Sequence, residues 1–241
     1  MPYVHTVPYT AIESIPGAER VAPDLWLLRG RPRHKFNAYV MGDVLLDART
    51  RHAARSILRQ LEGVYLGAHV LTHAHIDHMG ASHEICERLG LPLLCHEGDV
   101  GAAESGCRLG LESKSRFVRL EHRLLAGPGH KVSARLDEGE EIAGFRVLHT
   151  PGHSAGHVAL WRESDRVLIV GDVVFNVRPP LGRRGMMLAP AMMTPEPARN
   201  LAAARRLAQL DPELVCFGHG PPLTDGELFG KFVRQASYYA T

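Results

Sequence analysis

Residues 71–78 (LTHAHIDH) place three histidines and one aspartate within a single short segment. The segment follows an apolar run and precedes a helical pattern, which predicts a turn from a strand into a helix. His73 and His75 would share one face of the extended backbone, and a turn directly after them can bring Asp77 and His78 back toward that face. Imidazoles with a carboxylate are typical ligands of zinc, iron or copper, whereas sites made of oxygen alone suit magnesium and calcium.

A single divalent ion would not readily use all four side chains, because zinc is usually four-coordinate and a catalytic zinc keeps one position for water. A second ion, with ligands from later in the chain, is the natural solution. Three later residues lie at the ends of predicted strands beside glycines, and they are His153, Asp172 and His219. A buried aspartate is costly without a partner, so Asp172 is expected to bridge the two ions. The alternative, solvated surface histidines, does not account for these matching later ligands.

His157 lies in the same loop as His153, residues 150–157, directly before a predicted strand. It could bind metal or support the loop through hydrogen bonds. Residues beside metal ligands commonly orient those ligands. The supporting role is therefore the favoured interpretation.

The composition predicts a globular protein with a full core. The chain has 241 residues, which fits one large domain or two small ones, and nothing in the composition separates two halves, so we expect a single domain over residues 1–241. The net charge is 28 − 26 = +2 without a basic run. Nucleic acid and membrane surfaces are therefore not expected partners.

The four cysteines show no C-x-x-C spacing. They are expected to be free thiols in a reducing compartment. Residues 1–10 have no apolar core of signal-peptide length, and no apolar run approaches the length of a membrane span. These features predict a cytoplasmic protein.

Apolar runs and turn residues predict an alternation of strands and helices, which builds layered sheets with helices outside. The predicted strands cover residues 24–29, 37–41, 44–47, 68–72, 91–95, 141–149, 158–161, 166–170 and 214–217. The predicted helices cover residues 51–61, a segment from Gly80 to Leu89, residues 197–210 and residues 226–238.

Two segments allow more than one interpretation. Residues 105–135 contain apolar residues at helical spacing, and their arginines either are solvated on a surface helix or line the mouth of the active site. Residues 176–195 are rich in Pro, Gly and Met and are expected to form a long loop. The methionines of this loop either line a substrate pocket or cover core or a dimer contact. The candidate substrate contacts are Arg178, Arg183, Arg184 and Met186.

The H-x-H-x-D-H pattern of residues 73–78, followed by His153, Asp172 and His219 in that order, resembles the metallo-β-lactamase fold superfamily over residues 24–221. The resemblance implies a four-layer αββα sandwich, an α/β (α+β) fold with the ligands on loops at one edge of two facing sheets. It assigns to metal one His73, His75 and His153. It assigns to metal two Asp77, His78 and His219, with Asp172 as the bridge.

Within that superfamily, residues 150–157 (TPGHSAGH) and 171–175 (GDVVF) are similar to the glyoxalase II-like hydrolases. Glyoxalase II continues with a Cys-Gly-Lys or Cys-Gly-Arg segment and has a helical C-terminal domain, both of which contact the glutathione thioester. This chain has Asn-Val-Arg-Pro-Pro at residues 176–180 instead, and only a short predicted helix follows His219. The resemblance to glyoxalase II therefore does not imply that this chain is specific for glutathione thioesters.

The leading hypothesis is a metal-dependent hydrolase that cleaves a small thioester, ester or lactone. A hydroxide held by two Zn²⁺ ions, with iron or manganese as alternatives, would attack the carbonyl carbon. Asp77 would orient this hydroxide. The expected partner is a small-molecule substrate, and a homodimer is a further expectation.

Three alternatives use the same residues. One is a mononuclear iron oxygenase that resembles the persulfide dioxygenases, with His73, His153 and Asp172 as a facial triad. Another is a phosphodiesterase or nuclease of the same fold, which the near-neutral charge disfavours. The third is a metal-binding module without catalytic activity.

Overall fold

The computed structural model of the chain describes residues 12–107, 116–178 and 183–238. The chain divides into two compact units, Met1–Leu136 and Asp137–Thr241. Compactness does not by itself establish that a unit folds alone. The expectation of a single domain over residues 1–241 therefore stays a prediction.

The first unit contains a seven-stranded sheet in which the strands follow one another in chain order. The first four strands pair antiparallel, and the fourth to the seventh pair parallel. The strands are β1 (Glu19–Ala22), β2 (Leu25–Leu27), β3 (Tyr39–Met41), β4 (Val44–Leu46), β5 (Ala68–Val70), β6 (Leu93–Cys95) and β7 (Val132–Arg135).

The buried strands β2 to β6 confirm the predicted strands of this half of the chain. The sequence pattern gives no indication of the two edge strands, β1 and β7. Both are short and polar, and β7 alternates half-buried with exposed residues. Edge strands of this kind lack the apolar run that marks a central strand.

Five α-helices of the first unit lie within the described residues, namely α1 (Ala54–Gln60), α2 (Ile76–Met79), α3 (Ser82–Leu89), α4 (Val100–Ser105) and α5 (Arg116–Leu125). Helix α1 agrees with the predicted helix 51–61, α2 with the predicted turn after His75, and α3 with the predicted helix from Gly80 to Leu89. Ile85 and Cys86 of α3 are buried as expected, but Leu89 is exposed at the last position of the helix. The prediction that Leu89 belongs to the buried apolar face of α3 is therefore wrong.

Helix α5 lies within the segment 105–135 whose role was open, while residues 108–115 of that segment lie outside the described residues. Its apolar spacing does not place all leucines inside, since Leu120 and Leu124 are 55% and 52% exposed. Arg116 and Arg123 are exposed as well. These exposures agree with the interpretation as a surface helix.

The second unit contains a five-stranded sheet in the order β14-β11-β10-β9-β8 and a separate pair, β12-β13. The β11–β14 pair is parallel, and the other pairs are antiparallel. The strands are β8 (Glu141–Ile142), β9 (Phe145–His149), β10 (Val158–Arg162), β11 (Val167–Ile169), β12 (Val174–Arg178), β13 (Arg183–Leu188) and β14 (Leu214–Cys216).

Two sequence predictions for this unit are wrong. The single strand expected at 141–149 is a hairpin, because Ala143 and Gly144 adopt φ values of 50° and 77° and turn the chain. The long loop expected at 176–195 begins instead as the hairpin β12–β13. A register shift between Phe175 and Val177 interrupts the alternation that marks a strand, which explains why periodicity did not indicate it. Residues 179–182 of the expected loop lie outside the described residues.

Two helices of the second unit, α6 (Pro197–Ala208) and α7 (Gly226–Gln235), confirm the predicted helices 197–210 and 226–238. Proline is at the start of α6, and the carboxylate of Asp225 caps α7 by accepting the N–H of Leu228 at 2.9 Å. Within the described ranges, no helix combines the length and the apolarity needed to span a membrane.

Candidate metal centre

The segment that carries the first four candidate ligands turns directly from extended chain into a helix, as predicted. His75 is extended, with φ −82° and ψ 156°, and its carbonyl accepts the N–H groups of His78 and Met79, which opens α2. Gly80 ends α2. A Cβ at Gly80 would lie 2.5 Å from the carbonyl oxygen of Ile76, so a larger residue does not fit this close approach.

The three imidazoles of this turn lie against one another. Nε2 of His73 is 3.1 Å from Nδ1 of His75, and the ring centroids of His73 and His78 are 4.1 Å apart. His73 and His78 are fully buried, whereas His75 and Asp77 are half-buried. The turn thus brings together the histidines that the sequence indicated, with Asp77 in the first turn of the same short helix.

Asp47, directly after β4, holds this turn in place through hydrogen bonds. Its carboxylate accepts the backbone N–H and the hydroxyl of Thr72, and also Nδ1–H of His78, each at 2.8 Å. The hydroxyl of Thr72 in turn accepts Nδ1–H of His73 at 3.1 Å. With both Nδ1 atoms engaged in this way, Nε2 is the nitrogen that each of these two histidines can offer to a metal.

Asp99 is a second supporting carboxylate, buried at 3% exposure. It accepts the backbone N–H of Ala74 at 2.8 Å, between the first two histidines of the motif. Sequence reasoning missed both Asp47 and Asp99. Asp47 does carry a signal, because an aspartate directly after a buried strand is the same pattern that indicated Asp172. Asp99 carries no comparable signal, since it precedes a short helix within a polar segment.

The second unit brings its three candidate ligands together at one carboxylate oxygen. Oδ2 of Asp172 lies 3.0 Å from Nε2 of His219 and 3.5 Å from Nε2 of His153. All three side chains are buried. Nδ1 of His153 faces the hydroxyl of Thr194 at 3.4 Å, which leaves its Nε2 on the side of the carboxylate.

His157 supports the loops that carry these ligands. Its Nε2 accepts the backbone N–H of Asp172 at 3.0 Å, and its Nδ1–H meets the hydroxyl of Thr150 at 2.8 Å. These contacts connect the loop after β9 to the loop after β11. They agree with the favoured interpretation of His157 as a support for the loop.

The candidate substrate contacts lie on the hairpin β12–β13. Arg178, Arg183 and Arg184 are exposed, and the guanidinium of Arg178 donates to the carbonyl of Met186 at 3.3 Å. Met186 is buried within the core of the second unit. Its packing agrees with the interpretation that this methionine covers core. In contrast, Met192 is 91% exposed.

The donor chemistry of both groups fits a transition metal. Two zinc-bound nitrogens in a tetrahedral site lie about 3.3 Å apart, and the 3.1 Å between His73 and His75 is close to that spacing. Buried imidazoles with carboxylates are ligands that zinc and iron share. The residue types and spacings of both groups therefore fit ligands of a metal of this class.

A family model supports this conclusion across both units. The model of the metallo-beta-lactamase superfamily matches residues 41–219, a range that includes all seven candidate ligands. The chain belongs to the metallo-beta-lactamase superfamily, which confirms the resemblance and the mixed α/β fold class. Its relatives include hydrolases of that superfamily.

Two curated relatives show how far the likeness extends. The probable metallo-hydrolase YflN of Bacillus subtilis (strain 168) is 31% identical over 207 residues, which cover 75% of this chain and 76% of that protein. A hydroxyacylglutathione hydrolase of Methylococcus capsulatus is 34% identical over 112 residues, but these cover only 44% of this chain and 34% of that protein. The likeness to the second relative is therefore partial.

Among solved structures, the protein TTHA1623 in a di-iron-bound form is 33% identical to this chain, with a TM-score of 0.62. The match covers 85% of this chain and 96% of that structure. It confirms the metallo-β-lactamase fold. The two iron ions are a property of that protein.

Proposed function

We propose that this chain is a metal-dependent hydrolase that cleaves a small thioester, ester or lactone at a dinuclear centre. The observation that carries the proposal is the H-x-H-x-D-H turn, in which nitrogens of His73 and His75 lie 3.1 Å apart. Thr72 and Asp47 hold Nδ1 of His73 and of His78, an arrangement that orients the other ring nitrogen of a metal-ligating histidine.

The proposed ligand sets follow the resemblance. Metal one would be held by His73, His75 and His153. Metal two would be held by Asp77, His78 and His219, with Asp172 shared between the two ions. The convergence of His153 and His219 on one oxygen of Asp172 supports the bridging role.

Zinc ions bound by these residues would act as Lewis acids and would lower the pKa of water to near 7. Asp77 is half-buried beside the cluster, and its carboxylate would accept a hydrogen bond from the attacking water and aim its oxygen at the carbonyl carbon. The bond from that carbon to the leaving sulfur or oxygen would then break, and the leaving group would take up the proton that the attacking water had given to Asp77.

The residues around the ligands would keep this geometry fixed during the reaction. Asp47 and Asp99 hold the turn through hydrogen bonds of 2.8 Å to buried groups. His157 holds the backbone of Asp172. Fixed ligands keep the attacking water correctly positioned and oriented toward the carbonyl carbon. This positioning supplies much of the rate enhancement of such sites.

The arginines of the hairpin are the proposed substrate contacts. Arg178, Arg183 and Arg184 are exposed and adjacent on paired strands, which suits a substrate that carries a carboxylate. Met186 is retained in this proposal only as packing beneath them, because it is buried. The likeness to hydroxyacylglutathione hydrolase covers about a third of that relative, and a glutathione thioester is therefore one substrate among those to test.

Zinc is the proposed metal, and iron is the alternative suggested by the di-iron form of TTHA1623. Elemental analysis of protein purified without added metal or chelator distinguishes them. Two or more zinc ions per chain support the hydrolase. A single iron per chain, together with oxygen consumption on addition of a persulfide, would favour the mononuclear iron oxygenase over the hydrolase.

The activity is tested by incubating zinc-loaded protein with matched thioesters, esters and lactones. We expect hydrolysis of at least one class, a loss of about 100-fold or more in kcat for Asp77→Asn, and no change for Asp211→Asn, whose side chain is 84% exposed. Asparagine replaces a charged acceptor with a neutral amide of the same shape, so the pair isolates the carboxylate. Failure on every class would overturn the proposal.

A cytoplasmic location is part of the same proposal. It is supported by the four cysteines, all of which are free. Cell fractionation tests it, and recovery of the protein in a periplasmic or secreted fraction would contradict it.

A further inference from the structure

A second group of metal-competent side chains lies on the first unit, apart from the H-x-H-x-D-H turn. His83 and Glu87 are four residues apart on α3 and therefore share one face of the helix. His130 reaches them from the loop before β7. We call these three residues the helix-face cluster. Their donor atoms all lie within 4.8 Å of one another.

The distances within the helix-face cluster match those of a metal site. Nδ1 of His83 is 3.3 Å from Nδ1 of His130, and Nδ1 of His130 is 3.7 Å from Oε1 of Glu87. Two nitrogens on a tetrahedral zinc, each at about 2.05 Å, lie about 3.3 Å apart. The two rings are inclined at 65°, so their Nδ1 edges meet at a common point rather than stacking.

Charge in the cluster also suits a cation. Burial and the neighbouring His83 lower the pKa of His130, with Glu87 acting in the opposite direction. Neutral imidazole is the form that binds metal. Glu87 is mostly exposed and supplies a negative charge that can swing toward the nitrogens. Two imidazoles and one carboxylate are a donor set that zinc uses in proteins, with the fourth position left to water.

We propose that His83, Glu87 and His130 bind a Zn²⁺ ion, with water as the fourth ligand, as a site separate from the proposed dinuclear centre. Such an ion would tie α3 to the loop before β7.

That loop packs directly against the ligand turn. A Cβ on Gly127, three residues before His130, would lie 1.9 Å from the carbonyl oxygen of Gly80, which ends α2. The backbones of the two segments are therefore in close contact. An ion at the helix-face cluster would fix this loop against the end of the H-x-H-x-D-H turn, and its expected effect is to stabilise the first unit.

The test compares zinc binding by the full chain and three variants, His83→Gln, Glu87→Gln and His130→Gln. Each protein is dialysed against buffered free Zn²⁺ over a range of concentrations, and bound zinc per chain is measured by elemental analysis. The matched control is Glu84→Gln, on the same helix, where an exposed glutamate lies 3.7 Å from Arg88 instead of the two histidines.

We expect the wild-type protein and Glu84→Gln to bind one zinc more than His130→Gln, and Glu87→Gln to weaken that additional ion by about tenfold or more. The additional ion should raise the melting temperature of the wild-type protein and of Glu84→Gln, but not that of His130→Gln. His83→Gln gives the same comparison if His130→Gln does not fold, as judged by circular dichroism. Equal zinc in the wild type and the ligand variants, or the same loss in Glu84→Gln, would overturn the proposal. Because only differences between variants are used, the result is independent of the occupancy and the activity of the dinuclear centre.

Discussion

His157 and Asp172 are joined by a hydrogen bond of 3.0 Å from the backbone N–H of Asp172 to Nε2 of the imidazole. The other ring nitrogen of His157 meets the hydroxyl of Thr150 at 2.8 Å. The ring therefore fixes the loop that presents the candidate bridging carboxylate. His157 lies beside the proposed ligands, and its proposed effect on metal binding is to position Asp172.

Replacing His157 by alanine should weaken metal binding by about 10- to 100-fold, because the loop that carries Asp172 loses its anchor. His157→Gln should recover part of this loss, since its amide oxygen can accept the same N–H. Competition with a chromophoric chelator measures both affinities. Unchanged affinity in His157→Ala would show that the loop is held without the imidazole.

Asp47→Asn should destabilise the ligand turn. One carboxylate oxygen of Asp47 accepts hydrogen bonds from the hydroxyl of Thr72 and from His78, and the other accepts the backbone N–H of Thr72. In asparagine, one of these two oxygens is replaced by an NH₂ group, which cannot accept those bonds. Leaving a buried donor without its acceptor costs about 1–3 kcal/mol. Urea denaturation of metal-free protein measures this loss, and the exposed Asp137→Asn serves as control. Equal unfolding free energies for wild type and Asp47→Asn would contradict the supporting role.

The cysteines should react slowly with thiol reagents in the folded protein. Burial raises the pKa of Cys86 and of Cys95 to about 12, and that of the half-buried Cys107 to about 11, so the reactive thiolate is scarce at pH 8. Cys107 should react first and all four should react rapidly in urea. Rapid modification of Cys86 or Cys95 without denaturant would show that these sites are open.

His69 should make stability depend on pH. Burial lowers its pKa from 6.5 to about 4, with smaller opposing effects from its bond to the carbonyl of Leu45 and from Asp47. Above pH 6.5 the imidazole is neutral in both states, but between pH 6.5 and 4 only the unfolded chain gains a proton. Stability should therefore fall as the pH is lowered through this range, by up to about 1.4 kcal/mol per pH unit.

The comparison with His69→Gln isolates this effect, because other histidines titrate equally in both proteins. Urea denaturation at pH 7 and pH 5, with metal removed, should give a smaller pH dependence for the variant. An identical pH dependence would show that His69 is protonated with a normal pKa in the folded state.

The ligand turn was predictable because strand, turn and helix signals are local. An apolar run ends at residue 71, and Gly80 marks the boundary between the turn and the helix that follows. The residues that hold the turn were not predictable in the same way. Asp47 precedes Thr72 by 25 residues, and the contact depends on parallel pairing of β4 with β5, which no local pattern reveals.

The hairpin β12–β13 shows a different limit. Its outer half is arginine-rich and carries a register shift, so neither apolar alternation nor a continuous apolar run marks it as strand. The helix-face cluster was also missed. His83 and Glu87 have the spacing of helical ligands, but His130 joins them only through the tertiary fold.

Location of bound metal by anomalous X-ray diffraction at the zinc edge tests the central claim most directly. A dinuclear centre predicts two peaks about 3.5–4 Å apart. One peak should lie within bonding distance of His73, His75 and His153, and the other within bonding distance of Asp77, His78 and His219, with Asp172 between them. A single peak at these residues, or no peak there, would contradict the dinuclear centre, whereas a further peak at the helix-face cluster bears only on that separate site.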